Sequence, residues 1–132
     1  MGCLEAEKLF LATAELQTPF PERSGSCAII ALIVEKECYV ANLGDSRAFM
    51  SVNHGKRLFQ LSRDHRPSDE DERKRIVERG GKIITLGDDE VVTEQVPLKP
   101  TIIPGNMSVS RTFGDLEVKN ERYGGMPGII IA

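Results

Sequence analysis

Two short stretches put charged and hydroxyl side chains close enough together to do chemistry. In ANLGDSRAF, residues 41–49, Gly44, Asp45, Ser46 and Arg47 separate two apolar pieces. An acid, a hydroxyl and a guanidinium at this spacing could hold a phosphate or a metal. They could equally tie down a turn, because Asp, Ser and Gly are turn formers for backbone reasons of their own. In RDHRPS, residues 63–68, Asp64 stands beside His65, whose imidazole is a natural acid–base group near neutral pH. The competing reading makes Asp64 a cap for the loop that leads to Ser68. A third stretch, SVSRTFGD at 108–115, adds Arg111 and Asp115, which read as an ion-paired anchor. His54 falls in a turn and reads as solvated.

These residues need elements to position them. Leu4, Leu9, Phe10, Leu11 and Ala14 follow a helical spacing and predict a helix from about 4 to 16, ended by Pro19 and Pro21. SCAIIALIV and ECYVANL read as a hairpin, and RAFMSV and KRLFQL as a second one around Asn53-His54-Gly55. Ile29, Ile30, Leu32, Val40 and Phe49 are the expected core. Ser68 precedes an acidic first turn, later bases and the pair Gly80-Gly81, which predicts a surface helix over 69–79 with Ser68 as its N-cap. KIITL and EVVTEQVPL read as a further hairpin across Gly87-Asp88-Asp89. Pro97, Pro100, Pro104 and Gly105 then mark an irregular stretch, and GIIIA reads as a buried strand. The pattern is α+β, mostly antiparallel, and by itself names no chemistry.

Composition narrows the function classes. The 132 residues fit one domain with an ordinary core, 40% hydrophobic and 28% charged. A net charge of −3, mixed basic residues and the lack of Trp argue against a nucleic-acid surface. Cys3, Cys27 and Cys38 are odd in number and lack metal spacing, so an intracellular compartment, cytoplasmic or nuclear, is expected. Cys27 and Cys38 read as small core residues. The longest apolar run, Ala28 to Val34, is a strand's length, so no membrane partner is expected. Gly2 is followed at position 6 by Ala6, where an acylation motif wants Ser or Thr.

Five stretches in order, SGSCA (24–28), ANLGDSRA (41–48), RDHRPS (63–68), RIVERGGKI (75–83) and SVSRTFGD (108–115), resemble the metal-dependent protein serine/threonine phosphatases of the 2C type. The resemblance implies a two-sheet antiparallel β-sandwich flanked by helices, of which residues 1–132 would form part and 24–132 carry the motifs. It implies Mg or Mn as cofactor and phosphoprotein as substrate, with a metal-bound water as nucleophile. By the same resemblance Asp64 matches a position that helps hold a further, weaker metal ion. Gly44, Asp45, Ser46 and Arg47 match a structural turn, phosphopeptide contact is the alternative to an anchoring role for Arg111, and no catalytic residue is assigned.

The family's other acidic ligands, its phosphate-binding Arg and its Asp-Gly-His-Gly-Gly stretch have no match in these residues. The expectation is therefore the central half of a phosphatase domain, inactive alone, with tight metal binding not expected. The proposed proton donor belongs to the unmatched stretch, so His65 is expected to be structural. A non-catalytic pseudophosphatase or phosphoprotein-binding module is the alternative. Uncovered sheet edges would favour self-association or pairing with a complementary fragment.

Overall fold

The structure, a computed structural model, describes residues 2–85 and 99–132. Helix α1 runs Gly2–Glu15, and a short strand β1, Gly25–Ser26, follows. Strands β2 (Ala28–Val34) and β3 (Glu37–Leu43) pair along their whole length, from Ala28↔Leu43 to Val34↔Glu37. Strands β4 (Phe49–Val52) and β5 (Arg57–Gln60) form the second hairpin. His54 and Gly55 at its tip take positive φ, and Lys56 N–H donates to the Asn53 carbonyl. That is the primed turn whose twist suits a tight hairpin.

Helix α2, Glu70–Glu78, starts and stops on local chemistry. Asp69, one residue after the expected Ser68, is the N-cap, its carboxylate accepting from Glu72 N–H at 3.3 Å. At the other end Gly80 takes φ +85, and Gly80 and Gly81 N–H donate to the carbonyls of Val77 and Ile76. Those two bonds are the Schellman pattern that a left-handed Gly permits.

Strand β6 (Lys82–Ile84) pairs with β7 (Thr101–Ile103), inside the stretch expected to be irregular. The expected partner, EVVTEQVPL, lies outside the described residues. Strand β8 (Phe113–Gly114) pairs back to β1, and helix α3 covers Leu116–Lys119. The terminal GIIIA is buried at Ile129 and Ile130 but is not a regular strand. It turns at Gly128 and holds on by single bridges at Ile130 and Ile131.

The described strands make four separate two-stranded antiparallel ribbons, not a two-sheet sandwich. The core is also elsewhere than expected. Ile76, Ile102, Ile129 and Ile130 form it, with Ile83, Met107 and Val118 packed against them. Ile29, Ile30, Leu32 and Phe49 are exposed and Val40 is half-buried, while Cys38 is exposed and Cys27 half-buried. The reason lies in the ribbon. A continuous apolar run suits a strand covered on both faces, and here both faces of β2–β3 stay open.

Helix α1 docks by polar bonds more than by its leucines. Leu9 is 71% exposed, whereas the Glu7 carboxylate is buried. It accepts from Gly114 N–H at 2.9 Å and from the Lys119 ammonium, which also donates to the Thr112 carbonyl.

These contrasts predict an inverted sensitivity to truncation. Ile76→Ala, at a side chain with no exposure, should cost about 2–5 kcal/mol. Ile33→Ala, 74% exposed, should stay within about 0.5 kcal/mol. Urea-unfolding midpoints of the two variants measure the difference.

Candidate functional site

Of the residues singled out by sequence, Gly44, Asp45, Ser46, Arg47, Asp64 and His65 converge where the loop after β3 meets the loop between β5 and α2. Gly44 is the meeting point. Its N–H donates to His65 Nδ1 at 3.2 Å, and its carbonyl accepts from His65 N–H at 2.9 Å. Asn42 at the end of β3 adds two bonds from its side-chain amide, to the carbonyls of Gly44 and Arg63. Gly44 has φ +95, and a Cβ there would overlap the Cys27 sulfur. Both the backbone angle and the close approach call for glycine.

Around this clasp the charges are paired. Arg47 places a two-pronged fork on Asp64, Nε to Oδ1 at 2.8 Å and a terminal nitrogen to Oδ2 at 2.7 Å. Arg66 donates to Asp45 at 2.7 Å while its Nε lies 3.4 Å from Asp64. Arg63 forks onto Asp69 and reaches Asp71 as well. The hydrogen bonds from Arg47 hold the Asp64 carboxyl below the ordinary carboxylate range. Together Arg47, Gln60, Arg63, Asp64, Arg66, Ser68 and Asp69 line a shallow depression.

His65 is half-buried. Burial, and secondarily the Arg111 charge, push its imidazole below the usual range, so the neutral ring is favoured. Its Nδ1 is committed as an acceptor, and its carbonyl accepts from Ser110 N–H at 3.0 Å. Ser110 and Arg111 both converge on Glu72, which is 3% exposed. Arg75 also donates to Glu72, and reaches the carbonyls of Ser110, Gly128 and Ile129. Burial alone would raise the Glu72 carboxyl. The donors Arg111, Ser110 and Arg75 outweigh it and hold it at about 2.

Arg111 therefore pairs with Glu72 and not with Asp115. Asp115 is the N-cap position of α3, in a left-handed conformation, with no side-chain cap bond. Its backbone N–H donates to the Ser24 carbonyl, and its carboxyl fills the space that a Gly25 side chain would need. Ser46 is half-buried in the loop between its charged neighbours. His54 lies at the exposed tip of β4–β5.

Sequence reasoning did not single out Asn42, Glu72, Arg75, Glu7 or Lys119. Asp69-x-x-Glu72 carries a visible signal, but it points to a capping box, in which the Glu would turn back to its own helix. Instead the side chain reaches across to Arg111.

The fit to Mg or Mn is poor. Both oxygens of Asp64 already accept from Arg47, and Arg66 faces the same carboxylate. Among the described residues no three His, Cys, Asp or Glu side chains group to hold a metal ion. Hard divalent cations want several oxygen ligands, and a single carboxylate facing two guanidiniums does not offer them. No helix among the described residues is long and apolar enough to cross a membrane.

Comparison with known proteins adds the relatives. A family model described as Protein phosphatase 2C matches residues 4–132. The chain is 43% identical over 98 residues to the probable protein phosphatase 2C 6 of Paramecium tetraurelia, covering 74% of this chain and 28% of that protein. It is 41% identical over 97 residues to the probable protein phosphatase 2C 25 of Arabidopsis thaliana, covering 74% and 21%. It thus spans less than a third of the length of these curated relatives. Among solved structures, a phosphatase from a pathogenic strain of Toxoplasma gondii aligns with 98% of this chain and 49% of its own, at a TM-score of 0.56 and 18% identity. That likeness is one of fold. A sex-determining protein of C. elegans aligns with 71% of this chain and 20% of its own, at a TM-score of 0.53 and 32% identity.

The pKa directions set a pH profile for stability. Glu72 is depressed, so its contribution is complete above about 4.5 and disappears as pH falls from there through about 2. The shift corresponds to a loss on the order of 3 kcal/mol. His65 favours its neutral form, so stability also begins to fall as pH drops below its ordinary value of 6.5. Urea midpoints across pH should show the steeper acid limb, and Glu72→Gln should flatten that limb while lowering the plateau.

Proposed function

Because this chain belongs to the protein phosphatase 2C family, we propose that it forms the central part of a metal-dependent domain that hydrolyses phosphoserine and phosphothreonine in proteins. In this reading residues 1–132 are one partial domain, and the exposed ribbons β2–β3 and β4–β5 belong inside a two-sheet sandwich. Their apolar runs support this, since strands so rich in Ile, Val and Leu suit burial on both faces. The chain alone is inactive. An intracellular setting, cytoplasmic or nuclear, accords with its three free cysteines.

The observation that carries the reading is the state of Asp64. Its two oxygens brace Arg47, so the Gly44–Arg47 loop and the Arg63–Arg66 loop form one scaffold rather than a cation cage. Mg or Mn, the cofactor that the family implies, would supply an activated water at a site with more oxygen ligands than these residues provide. Gly44, Asp45, Ser46, Arg47, Arg111 and Asp115 act as framework in this account. Arg47 and Arg66 restrain the two loops, and Arg111 anchors the 108–115 segment to α2 through Glu72. Open apolar faces on the isolated chain favour self-association or capture of a complementary fragment.

A phosphothreonine peptide with and without millimolar Mn²⁺ tests the proposal. The chain alone should give no metal-dependent turnover, and Asp64→Ala should behave identically. Turnover that Asp64→Ala abolishes would overturn it. Saturable peptide binding without turnover would instead support a non-catalytic phosphoprotein-binding role.

A further inference from the structure

The disagreement between Asp64 and a metal-ligand role has a specific cause in the geometry. We propose that Arg47 and Arg66 are built-in counter-ions that keep the Asp45–Asp64 pair from taking a divalent cation. The carboxylates become cation ligands only when a guanidinium is withdrawn.

Four side chains carry the inference. Arg47 satisfies both oxygens of Asp64, at 2.8 and 2.7 Å. Arg66 lies between the two acids, donating to Asp45 at 2.7 Å with its Nε 3.4 Å from Asp64. These four side chains are two guanidiniums against two carboxylates, so they carry no net negative charge to attract a cation. A two-pronged Arg–carboxylate pair also matches the planar shape of both partners, which a hydrated metal ion would have to displace. Mg²⁺ and Mn²⁺ would enter only by losing water for a ligand that is already occupied.

Removing Arg47 changes both factors together. Asp64 regains two free oxygens, and the cluster becomes net negative. Arg47 is the exposed member of the pair, with its side chain 54% accessible against 15% for Asp64. Its withdrawal would therefore uncover the carboxylate without opening the core. The inference concerns cation binding at Asp64 and stands or falls independently of any phosphatase activity.

Paramagnetic broadening of backbone amide resonances by Mn²⁺ tests it on the whole chain. In the unmodified chain, amides of residues 45 and 64–66 should show no selective broadening at low millimolar Mn²⁺. In Arg47→Gln the same amides should broaden selectively, with apparent affinity raised at least about tenfold, as expected for removing one unit charge a few Å from the ion. Arg47→Gln combined with Asp64→Asn should lose the effect. Arg47→Lys, which keeps a cation at the position, should stay near the unmodified chain. The Ser110 and Ile129 amides report whether each variant remains folded. If Arg47→Gln loses its resonance dispersion, Arg47→Ala carries the same test, since it frees the same two Asp64 oxygens. Equal Mn²⁺ affinity in the unmodified chain and the folded Gln or Ala variant would overturn the proposal. So would broadening that survives Asp64→Asn.

Discussion

A single buried carboxylate, that of Glu72, joins the parts of this chain that local structure leaves separate. Among the described residues, four two-stranded ribbons and three α-helices have few continuous contacts of their own. Glu72 accepts from Arg75 on its own helix and from Ser110 and Arg111 in the segment before β8. Arg75 carries the connection on to the carbonyls of Gly128 and Ile129. A carboxylate at 3% exposure would be costly without such donors. With them, it orients α2 so that Ile76 meets Ile102, Ile129 and Ile130. Polar satisfaction and apolar packing are therefore one arrangement in this half of the molecule.

The same principle operates in a more exposed form around Gly44. There the ion pairs are partly open to solvent, where individual pairs add little stability. What they add is registry. Arg47, Arg63 and Arg66 each tie a different carboxylate, and the backbone pair between Gly44 and His65 sets how close the two loops come. The bond from Ser110 to the His65 carbonyl then links this clasp to the Glu72 network. A guanidinium fork suits this purpose better than an ammonium would, because its planar geometry selects one orientation.

The apolar faces of β2–β3 and β4–β5 are covered by neither network. β2–β3 carries the most hydrophobic run in the chain yet stays exposed. Its strand register is nonetheless complete over seven residue pairs, because backbone bonding and the tight Glu35-Lys36 turn do not depend on what covers the faces. Its apolar side chains lack a covering element among the described residues.

Local chemistry was enough to place α1, α2, the hairpins β2–β3 and β4–β5, and the family. Apolar runs broken by turn residues located β2 through β5, and the acidic first turn with Gly80-Gly81 located α2 within one residue at each end. Those signals act over a few residues, so a sequence contains them whole. The order of the five motifs likewise identified the phosphatase relationship, and those motifs contain Asp64, Arg47 and Gly44. Tertiary structure alone decided which of those residues meet. Arg111 pairs with Glu72, 39 positions away, and Glu7 with Lys119, 112 positions away, and no spacing rule encodes such partners. It also decided which apolar residues are buried. Hydrophobicity records that Ile30 and Ile76 both resist water, but burial depends on a covering neighbour, which Ile76 has and Ile30 lacks.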